Sequence, residues 1–379
     1  MERRGDVPPR LSLGTPFRRK ERSGLREEAS TRTSEDAAVR ATDADALLSR
    51  LSAVNAGYLD PDPYVALLAQ GFDTNVRRPL LINIGTALRS HQVDARVSNF
   101  LRTGSITGPP MASTHTAFQI VSLGAGSDTR FWRMGDVSMH PDALWSRVSH
   151  YIEIDYPEIA SHKVHSIHTQ PMLHTALQEI VLEEHGLASA RYTLLGEELS
   201  ALVPPEGSGS TRALDSLFAK LDPSLPTLLL WECVLAYLEP CTANRILTTL
   251  CARLPNVAIV SYDMCVAGDT HAPNAPPDRF GKVMLQNLAA RNLGLAGARA
   301  YTTPEAYKHR FHTLLSSTAG AHGPCEMRSE AYTLQHAWRT LPRAEQERLS
   351  RLEGLDEVEE LEMLLGHYCM CFAQRSACD

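Results

Sequence analysis

An apolar run, residues 118–123 (FQIVSL), breaks off abruptly at Gly124-Ala125-Gly126. Its aromatic and β-branched residues favour a strand, and the glycines turn the chain where the strand ends. Glycine has no Cβ, so such a turn lets bare backbone come close to a ligand. A second apolar run, residues 151–155 (YIEID), ends in a carboxylate, Asp155. A glycine turn after one strand and an acid at the tip of the next is how α/β folds hold a nucleoside: the glycines make room and the acid accepts from ribose hydroxyls. On these residues alone, a turn that merely packs a helix onto a sheet remains open.

What the turn lacks narrows the ligand. A dinucleotide site wants a third glycine opening a long helix whose N-terminus holds a pyrophosphate. Here the third position is Thr129, followed by the bulky Arg130-Phe131-Trp132-Arg133. No Gly-Lys-Ser/Thr follows, which excludes a phosphate-cradling P-loop. A nucleoside without a pyrophosphate fits better, and S-adenosylmethionine is the commonest cofactor of that kind.

The chain has 379 residues, 43% hydrophobic and 21% charged, with a net charge of −7. That balance argues against a general nucleic-acid binder. No apolar run approaches the roughly 20 residues that span a bilayer, and no apolar leader follows Met1, so no membrane association is expected. The eight cysteines are scattered, several within apolar runs, and read as buried free thiols of a reducing compartment. Cys369-x-Cys371 has no second pair to complete a tetrahedral set, so no metal is expected.

Residues 1–38 are rich in Arg, Glu, Ser, Thr and Pro and are expected to be a disordered arm. Helical spacing begins there and recurs over 86–101. Strands are then expected near 118–124, 148–155, 190–196, 225–233 and 256–264, and helices near 157–168, 242–253, 279–293 and 303–316. Residues 203–210 and 267–277 read as loops. A long charged helix over 341–366 precedes a last strand near 367–373, antiparallel to the rest. The alternation implies a doubly wound, mostly parallel α/β sheet; the late strand is, by fold-level analogy, that of the Rossmann-like, S-adenosylmethionine-dependent methyltransferase fold. The division expected is a single domain over 39–376. Within it, 39–115 is a helical cap over the cofactor and 116–265 the core sheet. Residues 266–340 are a substrate-side insertion with helices, and 341–376 the last helix and strand.

Open α/β sheets bind ligands at the carboxyl ends of their strands. Those ends carry Gly124, Asp155, Glu198 and Glu232. Glu232, between Trp231 and Cys233 in an apolar strand, is costly to bury unless something pairs with it.

The chain resembles the eukaryotic leucine carboxyl methyltransferases. The resemblance runs from about Val39 to Phe372. It is carried by residues 123–133 (LGAGSDTRFWR), 153–157 (EIDYP), 163–167 (KVHSI), 226–237 (PTLLLWECVLAY), 278–281 (DRFG), 287–288, 295–297, 341–345 (LPRAE) and 367–369 (HYC), all in order. It implies methylation of the C-terminal leucine carboxylate of the protein phosphatase 2A catalytic subunit, with S-adenosylmethionine as cofactor. It also implies a monomeric enzyme of the cytoplasm, with the nucleus as a second compartment. By the same resemblance Gly124, Asp155, Glu198, Leu199, Glu232, Arg50 and Arg89 contact the cofactor, while Tyr237 and Arg89 orient the substrate carboxylate. The family usually has Lys where Arg50 stands and commonly Asp where Glu198 stands; a planar fork in place of a compact ammonium changes the reach of that position. Two alternatives stand beside this reading. One is the related tRNA wybutosine-synthesising methyltransferase, which carries a propeller-like repeat region, whereas no internal repeat is visible here. The other is a non-catalytic phosphatase-binding chaperone.

Overall fold

The computed structural model describes residues 27–75, 77–106, 115–140, 144–320 and 325–377, and of residues 27–33 and 377 the backbone only. Its centre is a sheet of nine strands: β1 (Phe118–Leu123), β2 (Val148–Asp155), β3 (Val181–Glu183), β4 (Gly186–Ala188), β5 (Tyr192–Gly196), β6 (Thr227–Glu232), β7 (Val257–Met264), β8 (Cys325–Thr333) and β9 (Tyr368–Ala377). Their order is β3-β4-β5-β2-β1-β6-β7-β9-β8. The five strands from β5 to β7 are parallel. At one edge the β3–β4 hairpin runs antiparallel to β5, and at the other β9 and β8 run antiparallel to β7. The strand order reverses between β1 and β6, which opens a crevice at their carboxyl ends. This is the doubly wound sheet expected from the sequence, including the late antiparallel strand.

The parallel strands are buried on both faces, which is why they read as near-continuous apolar runs. Alternate residues sort to opposite sides. Ile120, Tyr151, Leu228 and Val260 face one apolar layer, shared with α1 (Glu27–Asn55), α2 (Pro63–Leu68) and α3 (Leu80–Thr103). Val121, Ile152, Leu229 and Ile259 face the other, shared with helices Pro240–Arg253 and Pro304–Ala319. Local chemistry fixes where helices begin. Asp62 accepts the N–H groups of Tyr64 and Val65 to start α2, Thr303 accepts that of Ala306, and Pro157 opens the helix Pro157–Thr169 at the position where no N–H is needed.

Four expectations change. Helix α1 starts at Glu27, so the last part of the expected disordered arm is helical; residues 1–26 lie outside the described residues. The helix expected over 341–366 is two helices, Arg343–Leu352 and Val358–Leu365. They are split at Gly354, whose φ of +76° takes the chain out of helical geometry. Helix 279–293 is shorter, Arg279–Ala289. Within the expected insertion 266–340, β8 pairs with β9 along nine residues, so that segment contributes to the central sheet. Seven cysteines are free, and Cys378 lies outside the described residues. Among the described residues no helix is long and apolar enough to cross a membrane, and no cluster of three or more metal-ligating side chains occurs.

Candidate active site

A cleft of about 1330 Å³ lies at the carboxyl ends of β1, β2 and β6. It exceeds the roughly 300–1,000 Å³ of a typical small-molecule pocket, so it has room for a cofactor and part of a second reactant. All eight candidate residues line it: Arg50, Arg89, Gly124, Asp155, Glu198, Leu199, Glu232 and Tyr237. The cleft therefore joins residues from two helices, three strand ends and two loops.

The glycine turn needs its glycines. Gly124 and Gly126 have φ of +66° and +53°. A Cβ on Gly124 would stand 2.6 Å from Cγ2 of Val234, and one on Gly126 would run into the Asp43 carboxylate. Asp43, on α1, accepts from the Ser127 N–H at 2.7 Å and its hydroxyl at 2.8 Å. Beneath the turn, the buried Lys163 ammonium donates to the carbonyls of Gly126 (3.1 Å) and Asp128 (2.7 Å) and to Glu153 Oε2 (2.5 Å). Tyr192 donates to the same Glu153 oxygen, yet burial still pushes that carboxyl up to about 7. The turn is thus clamped from both sides.

Asp155, at the tip of β2, accepts the Gly126 N–H at 2.6 Å and the Tyr156 N–H at 2.7 Å. Burial pushes its carboxyl up to about 6, against the pull of those two amides. Each oxygen keeps a lone pair for a ligand hydroxyl. Glu198 accepts from Ser200 at 2.6 Å and is exposed at the rim, with Leu199 buried beside it.

Glu232 has the partners its burial demands. Its Oε1 accepts from Arg89 Nε at 2.5 Å and its Oε2 from Arg130 Nη2 at 3.1 Å. Burial alone would raise this carboxyl; the two guanidiniums outweigh burial and hold it well below the usual range. Arg89 also lies over the Tyr262 ring at 4.9 Å. Arg50 donates to Asp62 (3.0 Å) and Ser90 (2.9 Å). Both arginines that the resemblance assigns to a ligand carboxylate are therefore also engaged with carboxylates of the protein. Past Glu232 the backbone enters the left-handed region at Cys233 (φ +62°), whose N–H donates to the Tyr262 carbonyl. The buried Asp263 accepts the Ala236 N–H at 3.0 Å and fixes the loop that carries Tyr237. Burial, with Cys233 and Tyr368 close by, pushes the Tyr237 phenol well above its ordinary value, so it stays a hydrogen-bond donor.

Sequence reasoning missed Asp43, Arg130 and Lys163. A signal existed for Arg130: it follows Asp128 and precedes Phe131-Trp132, and a charge set among aromatics after a strand end must find buried partners.

Comparison with known proteins places these features in context. The family model described as Leucine carboxyl methyltransferase matches residues 38–251. The protein named Leucine carboxyl methyltransferase 1 of Mycosarcoma maydis is 36% identical, over 94% of this chain and 82% of its own length. Its namesake in Rattus norvegicus is 32% identical over 90% and 91%. That of Aspergillus fumigatus is 34% identical over 90% and 84%.

Proposed function

The chain belongs to the leucine carboxyl methyltransferase family and is a methyltransferase, and from that premise we propose its substrate: the C-terminal leucine carboxylate of the protein phosphatase 2A catalytic subunit, esterified with a methyl group from S-adenosylmethionine. The observation that carries this reading is one cleft that unites the glycine turn, the two strand-tip acids Asp155 and Glu232, and Tyr237. A cytoplasmic setting goes with that substrate and is part of the same proposal.

The residues present suit the cofactor. Gly124 and Gly126 present bare backbone to the cleft, which lets a flat nucleoside come close. Asp155 can take ribose hydroxyls. Glu232, kept anionic by Arg89 and Arg130, can take an ammonium. Glu198 and Leu199 stand at the rim for the base, and Arg50 and Arg89 offer donors to a carboxylate. When bound, S-adenosylmethionine supplies an electrophilic methyl group on a sulfonium.

The acceptor needs no activation. An α-carboxyl has a pKa of about 3.3–3.7 and is ionised at neutral pH. A general base is unnecessary, and the work left to the chain is orientation, which can lower the barrier by roughly 7–11 kcal/mol. A bonded cation gripping the acceptor oxygen would blunt it. The protonated Tyr237 phenol can hold one oxygen in place without neutralising the carboxylate, and Arg89, whose charge is shared with Glu232 and Tyr262, can help to orient it.

The test uses radiolabelled cofactor with the purified phosphatase core enzyme, and a control whose catalytic subunit lacks the terminal leucine. Label is expected only on the intact tail, released by dilute base as befits a methyl ester. Equal labelling of the truncated control would overturn the substrate assignment.

A further inference from the structure

A chain of alternating charge runs along one wall of the cleft from Arg50 to Arg89. Arg50 bonds Asp62, and Asp62 faces Arg133 Nε at 3.7 Å. Arg133 grips Asp94 with both terminal nitrogens, at 2.6 and 3.1 Å. Asp94 also accepts from Arg130 Nε at 2.8 Å. Arg130 in turn reaches Asp128 and, at 3.1 Å, Glu232, which closes on Arg89. Four guanidiniums thus meet four carboxylates. Asp94 is the carboxylate that bridges Arg130 and Arg133, and it does not line the cleft.

We propose that Asp94 is a positioning residue for cofactor binding: by holding Arg130 and Arg133 side by side from α3, it keeps Arg130 from closing fully onto Glu232. The proposal rests on the S-adenosylmethionine reading above. Two neighbouring buried guanidiniums repel each other, and the carboxylate between them offsets that repulsion. Without it, Arg130 keeps Asp128 and Glu232 as its ion-pair partners among the described residues. It then closes onto Glu232 and consumes the lone pairs with which Glu232 would meet a ligand ammonium. Arg130 is fully buried, and Asp94 is partly exposed on a helix, so the carboxylate can be changed with little loss of packing.

The experiment is a double-mutant cycle on the full chain, read as calorimetric affinity for S-adenosylhomocysteine, with the unliganded thermal midpoint recorded for each variant. Asp94→Asn is expected to weaken binding at least 10-fold in the native background and less than 3-fold in Glu232→Gln, because both act through one contact. If Asp94→Asn does not fold, Asp94→Ser takes its place with the same expectation. Affinity within 3-fold of the native chain, or an equal loss in both backgrounds, overturns the proposal. A native chain that does not bind S-adenosylhomocysteine brings down the cofactor reading, and this inference with it.

Discussion

Replacing Gly124 by alanine probes the glycine turn at its tightest point. Two costs can be separated. The backbone at φ +66° is left-handed, which costs a residue with a Cβ roughly 1–2 kcal/mol. The new Cβ also stands 2.6 Å from Val234 Cγ2 and 3.2 Å from Cγ1, and overpacking of this kind costs about 1–3 kcal/mol. Together they predict a loss of about 2–5 kcal/mol, large against the roughly 5–15 kcal/mol of a native domain. Urea denaturation followed by circular dichroism reads the loss as a fall in midpoint. Val234→Ala removes both methyl groups in the way but leaves the φ cost. The double variant is therefore expected to recover about 1–3 kcal/mol relative to the sum of the two single changes. Strict additivity, or a Gly124→Ala variant within about 0.5 kcal/mol of the native chain, a range typical of bland surface changes, would refute the argument that Val234 closes this turn to side chains.

Two further outcomes follow from the acids. On the proposed reading Asp155 accepts ribose hydroxyls as a carboxylate, and burial pushes that carboxyl up to about 6, so S-adenosylhomocysteine affinity is expected to fall as pH drops from 7.5 to 5. Asp155→Asn should bind weakly and lose that pH dependence, and calorimetry across the range checks both. The same groups predict a less familiar stability trend for the unliganded chain. Asp155, Glu153 and Asp263 have raised values (about 6, 7 and 7), so the folded state holds more protons than the unfolded one between roughly pH 4 and 7. Their contribution is greatest below the unfolded values and is lost as pH rises through the folded ones. Glu232, held low, works the other way and loses its contribution only in more acid solution. Thermal midpoints are thus expected to be higher near pH 5.5 than near pH 8, and a flat profile would count against these burial assignments.

The sequence made β1, β2, β5, β6 and β7 legible because parallel strands covered on both faces are written as apolar runs. It hid β3 and β4, three residues each: β3 is exposed at Val181 and Leu182, and β4, though buried, is too short to show an apolar run. It hid β8 because Cys325–Thr333 is half exposed along its length and mixes Glu, Arg and Ser with its apolar residues. The Glu-rich run near the C-terminus carried helical propensity across Gly354, where one left-handed residue ends the helix. In the site, residues at strand tips were readable from topology alone, as Gly124, Asp155 and Glu232 were. Asp43, Asp94 and Lys163 were not. Each acts across 35 or more residues on at least one partner, and a single charged side chain on a helix gives no sign of which way it will face.

The two strand-tip acids also show why one cleft wall is ionic. Replacing buried ion pairs by apolar residues often stabilises a fold, so stability is a poor reason for four guanidiniums along this cleft. What the cluster does is separate the two acids. Glu232, between Arg89 and Arg130, is held below the usual carboxylate range, while Asp155, which meets only backbone amides, is pushed above it. At neutral pH the first stays anionic even in a dry cleft and suits a permanent cation. The second, held by two backbone amides, keeps a lone pair on each oxygen for hydroxyl donors. Two acids in one cleft, driven apart by their surroundings, mark a division of labour. Here the division matches a ligand that carries an ammonium at one end and a ribose at the other.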